Sequence, residues 1–348
     1  MDSTLLAGIL IVVIICLIVF NYFRRTTLYK ALQADTSVSS KKRLIESKIY
    51  KAPPGYKVDT VEVIKDLELR CASWEIKNSK GTILIFTGFS EFIEKYYETI
   101  GDLIELGWCI VIFDWRGQGL SSKLLLEKDK GYIENFAQYL QDAEAIYQQR
   151  MAAMPRPHNL LGHSMGGHLA FRELQEHPHR YYRAVLSAPM QSIAKLPTTV
   201  LSKFSAFWRI LGFGQAYVIG GKDGDKNKTY ERLTSDISRF KKWSSIFKKE
   251  PRLLMGSATW NWSNAAAKSM AFSMKTKQIK KVKTPVYVAS AKSDVVVNQE
   301  THQKMDDNNP LIKIYSYLGA RHEIYTEVNT HRNRFMEEID AFFMGEQE

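Results

Sequence analysis

Asn159-Leu160-Leu161-Gly162-His163-Ser164-Met165-Gly166-Gly167-His168 passes from an apolar triplet, through a G-x-S-x-G, into a helical pattern that lasts to Glu176. The triplet reads as a buried strand. G-x-S-x-G between a strand and a helix is the setting of a nucleophile elbow. A turn that sharp forces unfavourable backbone angles on its serine, so small neighbours are needed to avoid clashes. Ser164 is thereby expected in solvent at the top edge of a sheet. The Met165 N–H then lies at the positive end of the following helix, facing a developing oxyanion.

On both sides of this stretch strands and helices alternate. Strands are expected over 61–64, 69–76, 82–86, 108–113, 159–161 and from 185, with helices over 93–104, 133–150 and 164–176. Such alternation implies βαβ units and a mostly parallel central sheet with helices on both faces. After Pro189 the rhythm breaks. Residues 191–276 carry scattered aromatics, among them Trp208, Trp243, Phe247 and Trp262, and no buried-strand run. Strands resume at 285–289 and 312–315, and a helix closes the chain over 334–343. The expected α/β core is therefore 57–190 plus 277–348, with 191–276 a mainly helical cap insertion.

A serine nucleophile needs a base, and the base an orienting carboxylate, in the chain order Ser, Asp, His for this architecture. Asp294 stands just past the strand at 285–289, and His322 follows the strand at 312–315, so both reach the sheet edge that holds Ser164. His331 falls in the approach to the last helix. His163 is expected to point away from the site as a packing residue, and His168 to be structural. The second oxyanion donor should come from the loop after Phe86, Thr87-Gly88-Phe89-Ser90-Glu91, and the Phe89 N–H is the candidate. The Phe89 ring could also wall an acyl pocket. No metal or cofactor is required.

The 348 residues include 45% hydrophobic and 24% charged side chains, a globular balance that excludes a disordered chain, a collagen-like repeat and a polytopic transporter. Three cysteines, Cys16, Cys71 and Cys109, form no C-x-x-C pair and argue against a disulfide framework or zinc module. The formal net charge is +11, which suits nucleic acid or an anionic membrane surface. No nucleic-acid motif is visible. From Leu5 to Phe20 sixteen residues carry no charge, and Arg24 and Arg25 follow directly. The start, Met1-Asp2-Ser3, lacks the positive n-region of a signal peptide. Residues 1–23 are therefore expected to be an uncleaved single-pass transmembrane anchor. Residues 24–56 read as a basic juxtamembrane linker. The lysines and arginines after residue 23 lead to the expectation that the rest of the chain lies on the cytoplasmic side of the inner membrane.

Gly88-Phe89-Ser90-Glu91, the 113–121 segment Phe-Asp-Trp-Arg-Gly-Gln-Gly-Leu-Ser, Gly162 to Gly167, Ser187-Ala188-Pro189-Met190, Asp294 and Gly319-Ala320-Arg321-His322-Glu323 resemble one branch of the α/β-hydrolases. It is the branch of bacterial lysophospholipases and monoacylglycerol lipases, also catalogued with serine aminopeptidases. The resemblance covers about residues 57–345, and Leu233-Thr234-Ser235-Asp236 with Arg239-Phe240 is similar to the cap of the lysophospholipase side. Many relatives have a histidine where this chain has Thr87, which weakens assignment to the monoacylglycerol lipases. The resemblance implies an α/β-hydrolase fold and a serine hydrolase cleaving the acyl ester of single-chain lipids, lysophospholipids or monoacylglycerols. Ser164 would be its nucleophile, His322 its base and Asp294 the orienting acid. A peptidase or small-ester hydrolase with the same triad is the alternative, and an acidic ring for a substrate amine would favour it. Oligomeric state is not legible in the sequence.

Overall fold

The computed structural model describes residues 43–346, apart from 128, 194–195 and 225–229, together with Val12. Eight strands form one sheet: β1 Tyr56–Ile64, β2 Leu67–Trp74, β3 Thr82–Phe86, β4 Cys109–Phe113, β5 His158–His163, β6 Ala184–Ser187, β7 Val286–Ala291 and β8 Ile312–Tyr317. Their spatial order is β1-β2-β4-β3-β5-β6-β7-β8. β1 and β2 pair antiparallel, β2 meets β4 antiparallel, and every later pairing is parallel. The strands from β3 to β7 are buried along their whole length, which is why they read as continuous apolar runs rather than alternating ones.

Helices cover both faces: α1 Tyr97–Glu105, α2 Ala137–Ile146, α3 Met165–Glu176, α4 Thr198–Trp208, α5 Ile237–Ser244, α6 Trp260–Ser273, α7 Thr276–Ile279, α8 Glu300–Asn308 and α9 Asn329–Met344. One apolar core joins α2, α3 and α6 to one face of the sheet through Tyr139, Leu169, Leu174 and Met270. The other joins α1 and α9 to the opposite face through Ile100, Leu103, Phe335 and Ile339. A leucine-to-alanine change at a fully buried position such as Leu84 or Leu160 should cost ~2–5 kcal/mol. The 113–121 segment is structural, as read: buried Asp114 pairs with Arg70 at 2.8 Å and accepts the Ile93 and Leu120 N–H groups.

The fold departs from the sequence reading in two places. Residues 43–55, expected within the linker, pack onto the second core through buried Leu44, Ile45 and Tyr50. Helix α8 was not foreseen, because its sequence is almost wholly polar and only His302 and Met305 turn inward. Among the described residues no helix is long and apolar enough to cross a membrane. The span expected over 1–23 lies, but for Val12, outside the described residues.

Parallel strands aim their carboxyl ends at one edge. The loops after β3, β5, β7 and β8 therefore converge there, which is where an open α/β sheet binds ligands. Those four loops carry Phe89, Ser164, Asp294 and His322.

Candidate active site

Ser164 sits between β5 and α3 with φ 52° and ψ −115°, a backbone conformation that costs a non-glycine residue ~1–3 kcal/mol. The surroundings over-determine it. Its N–H donates to Ser187 O at 3.0 Å, and its carbonyl accepts the N–H groups of His168 and Met190 at 3.0 and 2.9 Å. A Cβ on Gly162 would come within 2.6 Å of Gly166 O, and one on Gly166 would overlap Phe86 O, so the flanking glycines are required by close approach. The expectation of a solvent-exposed Ser164 is corrected: it is only 8% exposed, because the cap segment roofs the sheet edge.

His322 Nε2 lies 2.9 Å from Ser164 Oγ, and its Nδ1 lies 2.6 Å from Asp294 Oδ2. An ionised carboxylate can only accept, so Nδ1 carries the proton and Nε2 is left to accept from the serine hydroxyl. Asp294 Oδ1 accepts the N–H groups of Val296 and Val297 at 2.7 and 3.1 Å. Burial pushes the Asp294 carboxyl up, but its bonds with His322 and these two N–H groups outweigh that and hold it below the usual carboxylate range. The structure thus brings the three predicted residues together. His331 lies in α9, outside this chain of hydrogen bonds.

The oxyanion loop is pinned on both sides of Phe89. Gly88 N–H donates to Glu91 Oε2 at 2.5 Å, and Ser90 N–H donates to Gln118 Oε1 at 2.7 Å. The Phe89 N–H between them meets no acceptor among the described residues. Met165, as the first residue of α3, has no intrahelical acceptor either. The Phe89 ring packs on Trp262 of α6 with centroids 4.5 Å apart.

His163 corrects a second expectation. It does not point away from the site: its ring packs 4.9 Å from that of His322 and 5.0 Å from that of Tyr325, and it lines the same cavity. The reason is that the loops after β3 and β8 fold over this face of β5. Burial pushes its imidazole down to about 3, against the pull of Glu91, so the ring is neutral beside the base. His168 is structural as expected, bonded to Gln191 and Ser269 at 3.1 and 2.8 Å.

Sequence reasoning missed a buried ionic cluster behind the oxyanion loop. Lys95 Nζ donates to Glu91 Oε1 at 2.7 Å and to Glu323 Oε1 at 2.6 Å, and the hydroxyls of Tyr96 and Tyr325 also donate to Glu91. The i,i+4 spacing of Glu91 and Lys95 was the available signal. The cluster ties the loop of Phe89 to the residue after His322. Ligand-type atoms of Glu91, His163 and Glu323 lie within 4.8 Å of one another, but the Lys95 ammonium already supplies their counter-charge. Burial raises the Glu91 carboxyl, yet the Lys95 ammonium and the hydrogen bonds from Lys95 and Tyr96 more than offset this and hold it well below the usual range. Its contribution to stability is therefore complete above its ordinary value of 4.5 and is lost as pH falls towards the folded value.

Lys95→Met would strand two buried carboxylates. The expected cost is ~3–5 kcal/mol in chemical denaturation, partly recovered in Lys95→Met/Glu323→Gln, which removes one of those charges. Equal stability of the wild type and the single variant would show the cluster to be energetically idle.

A cavity of about 530 Å³ opens above Ser164. Phe89, Met190, Trp243, Phe247, Met255 and Trp262 give it an apolar wall, and Lys222 and Arg232 stand on its lining from the cap.

A model of the family described as serine aminopeptidase, S33, matches residues 77–329. The chain is 27% identical to a probable lysophospholipase L2 of Haemophilus influenzae over 262 residues, which cover 75% of this chain and 82% of that one. It is 26% identical to lysophospholipase L2 of Escherichia coli over 295 residues, 80% of this chain and 85% of that one. In three dimensions it resembles a soluble variant of monoglyceride lipase from Saccharomyces cerevisiae, with a TM-score of 0.66 at 16% identity, covering 86% of this chain and 98% of that one. That likeness is one of fold. With an eight-stranded, mostly parallel sheet, an elbow serine and a family match over most of its length, the chain belongs to the S33 serine aminopeptidase family and has the α/β-hydrolase fold.

Proposed function

We propose that this hydrolase cleaves the acyl ester of lysophospholipids, or of monoacylglycerols, through an acyl-enzyme. The observation that carries the reading is the hydrogen-bonded chain Ser164–His322–Asp294 opening into a mainly apolar, aromatic-walled cavity. Ser164 Oγ attacks the ester carbonyl while His322 Nε2 takes its proton. The oxyanion is received by the N–H groups of Met165 and Phe89. Collapse expels the glycerol oxygen of the lipid, which recovers the proton from His322. Water, deprotonated by the same imidazole, then releases the fatty acid and restores Ser164. Asp294 holds the imidazole and stabilises its charged form.

The cavity carboxylates speak against an aminopeptidase. Glu91, Glu323 and Asp223 line it, but the first two are already paired with Lys95 and Asp223 accepts the Tyr217 hydroxyl at 2.7 Å, so they do not form a free anionic site for a substrate amine. The relatives named lysophospholipase L2 support the lipid substrate. The apolar 5–20 run and the basic residues after it support a membrane anchor that keeps the enzyme beside such lipids.

Purified protein offered lysophospholipids, monoacylglycerols, short-chain esters and aminoacyl amides should turn over the first two at least tenfold faster than the amides. Preferential cleavage of the amides would replace this reading with the peptidase.

A further inference from the structure

The chemistry of acyl transfer gives the cavity two ends. The leaving oxygen takes its proton from His322 Nε2, so the alcohol part of a substrate lies on the His322 wall. The acyl chain departs from the tetrahedral carbon in another direction, and the Phe89–Trp262 pair offers it apolar surface. A cap segment is fastened to the His322 wall. Glu323, the residue after the base, donates its N–H to Leu233 O at 2.8 Å. Next to Leu233, the Thr234 hydroxyl donates to Thr326 O at 2.7 Å, and the Thr234 carbonyl accepts from Arg321 Nη1 at 2.9 Å. Arg232, one residue before Leu233, is thereby held beside the loop of the base, and it lines the cavity.

The other charged groups on the lining are committed elsewhere. Lys95 is bonded to Glu91 and Glu323 at 2.7 and 2.6 Å. Glu323, on the same wall as Arg232, has its carboxylate turned to Lys95 and the Thr326 hydroxyl. Lys222 is held to Ser257: its N–H donates to Ser257 Oγ and its carbonyl accepts the Ser257 N–H, both at 3.0 Å. Asp223 follows it directly, so the two opposite charges offset each other there. Arg232 is exposed, and its guanidinium pairs with no carboxylate among the described residues.

Lysophospholipids and monoacylglycerols share the ester and the acyl chain and differ only in the alcohol. A monoacylglycerol brings hydroxyls to the His322 wall. A lysophospholipid brings a phosphodiester, one glycerol away from the ester oxygen, and a guanidinium fork is the side chain that matches phosphate oxygens.

We infer that Arg232 is a specificity-determining residue that receives the phosphodiester of the substrate head group and so commits this hydrolase to lysophospholipids over monoacylglycerols. The inference rests on the lipid-ester reading, and the experiment separates the two.

The full chain and its Arg232→Gln, Arg232→Lys and Lys241→Gln variants are assayed on lauroyl lysophosphatidylcholine and lauroyl glycerol in the same non-ionic detergent micelles. The readout is the ratio of kcat/KM for the phospholipid to that for the glyceride. The wild type should favour the phospholipid, and Arg232→Gln should lower the ratio at least tenfold. Arg232→Lys should keep part of the preference, as a point charge without the fork. Lys241 is exposed on the same cap and off the lining, so Lys241→Gln controls for net charge and should hold the wild-type ratio. A ratio unmoved by Arg232→Gln, or lowered equally by Lys241→Gln, overturns the inference and leaves the esterase standing.

A second measurement needs no turnover. The alkyl ether analogues of the two lipids have no ester to cleave and should protect Ser164 from a fluorophosphonate. Arg232→Gln should lose at least fivefold more protection by the phospholipid ether than by the glyceryl ether. Equal losses would make Arg232 a merely structural residue and overturn the inference. If the wild type cleaved neither ester while protection still depended on Arg232, the head-group site would stand and the lipid-ester reading would fall.

Discussion

Ser164→Ala should lower turnover by about 10⁶-fold and abolish labelling by fluorophosphonates, while the protein keeps its fold. The oxygen is the atom on which the acyl group would be carried, and the hydroxyl makes one hydrogen bond, to His322 Nε2. Nothing else in the cavity replaces it: Ser90 and Ser257 also line the space, but neither bonds to the imidazole. The backbone adds a stability prediction. Alanine at φ 52° remains strained, whereas glycine relaxes there. Ser164→Gly should therefore be as inactive as Ser164→Ala but more stable by ~1 kcal/mol, after allowing for the extra freedom glycine has when unfolded. Denaturant midpoints of the two inactive proteins measure this difference. Residual turnover near the wild-type rate in either would remove the covalent mechanism.

His322→Ala should be nearly as damaging as loss of the serine, because Ser164 then has no acceptor for its proton. Asp294→Asn should leave more activity than either, though it should still cost about 10⁴-fold, as the corresponding change does in the serine proteases. An amide at Asp294 must still accept the N–H groups of Val296 and Val297 with its oxygen, which turns its NH₂ towards His322 Nδ1. The imidazole then holds its proton on Nε2 and faces the serine with a donor. His331→Ala should be silent in the same assay. An inactive His331→Ala beside an active His322→Ala would overturn the assignment of the base.

The strands and the triad were legible because each leaves a local mark. β3 to β7 are short apolar runs, Ser164 is framed by glycines that close packing demands, and Asp294 and His322 follow strands directly. What was hidden depends on long-range contacts. The inward turn of His163 comes from loops more than seventy residues away in sequence on one side and over one hundred and fifty on the other. Lys95 bonds to Glu323 across the whole domain, and nothing beside a lysine announces a carboxylate 228 residues away. Ser164 was expected in solvent because the elbow was read without its roof. The cap's scattered aromatics showed that 191–276 was different, but not that Trp262 would meet Phe89.

That last contact has a consequence for how such enzymes diversify. The residue expected to receive the oxyanion rests its ring on a helix of the 191–276 segment, while its neighbour Gly88 is held by Glu91 of the α/β core. The insertion is therefore not a free module. A chimera that exchanges residues 191–276 for a relative's segment inherits a partner that was never fitted to Phe89. Its first loss should be in kcat on every substrate, small soluble esters included, before any new selectivity can be read. Engineers, and lineages, that want a different roof must change the side chain at 89 together with it.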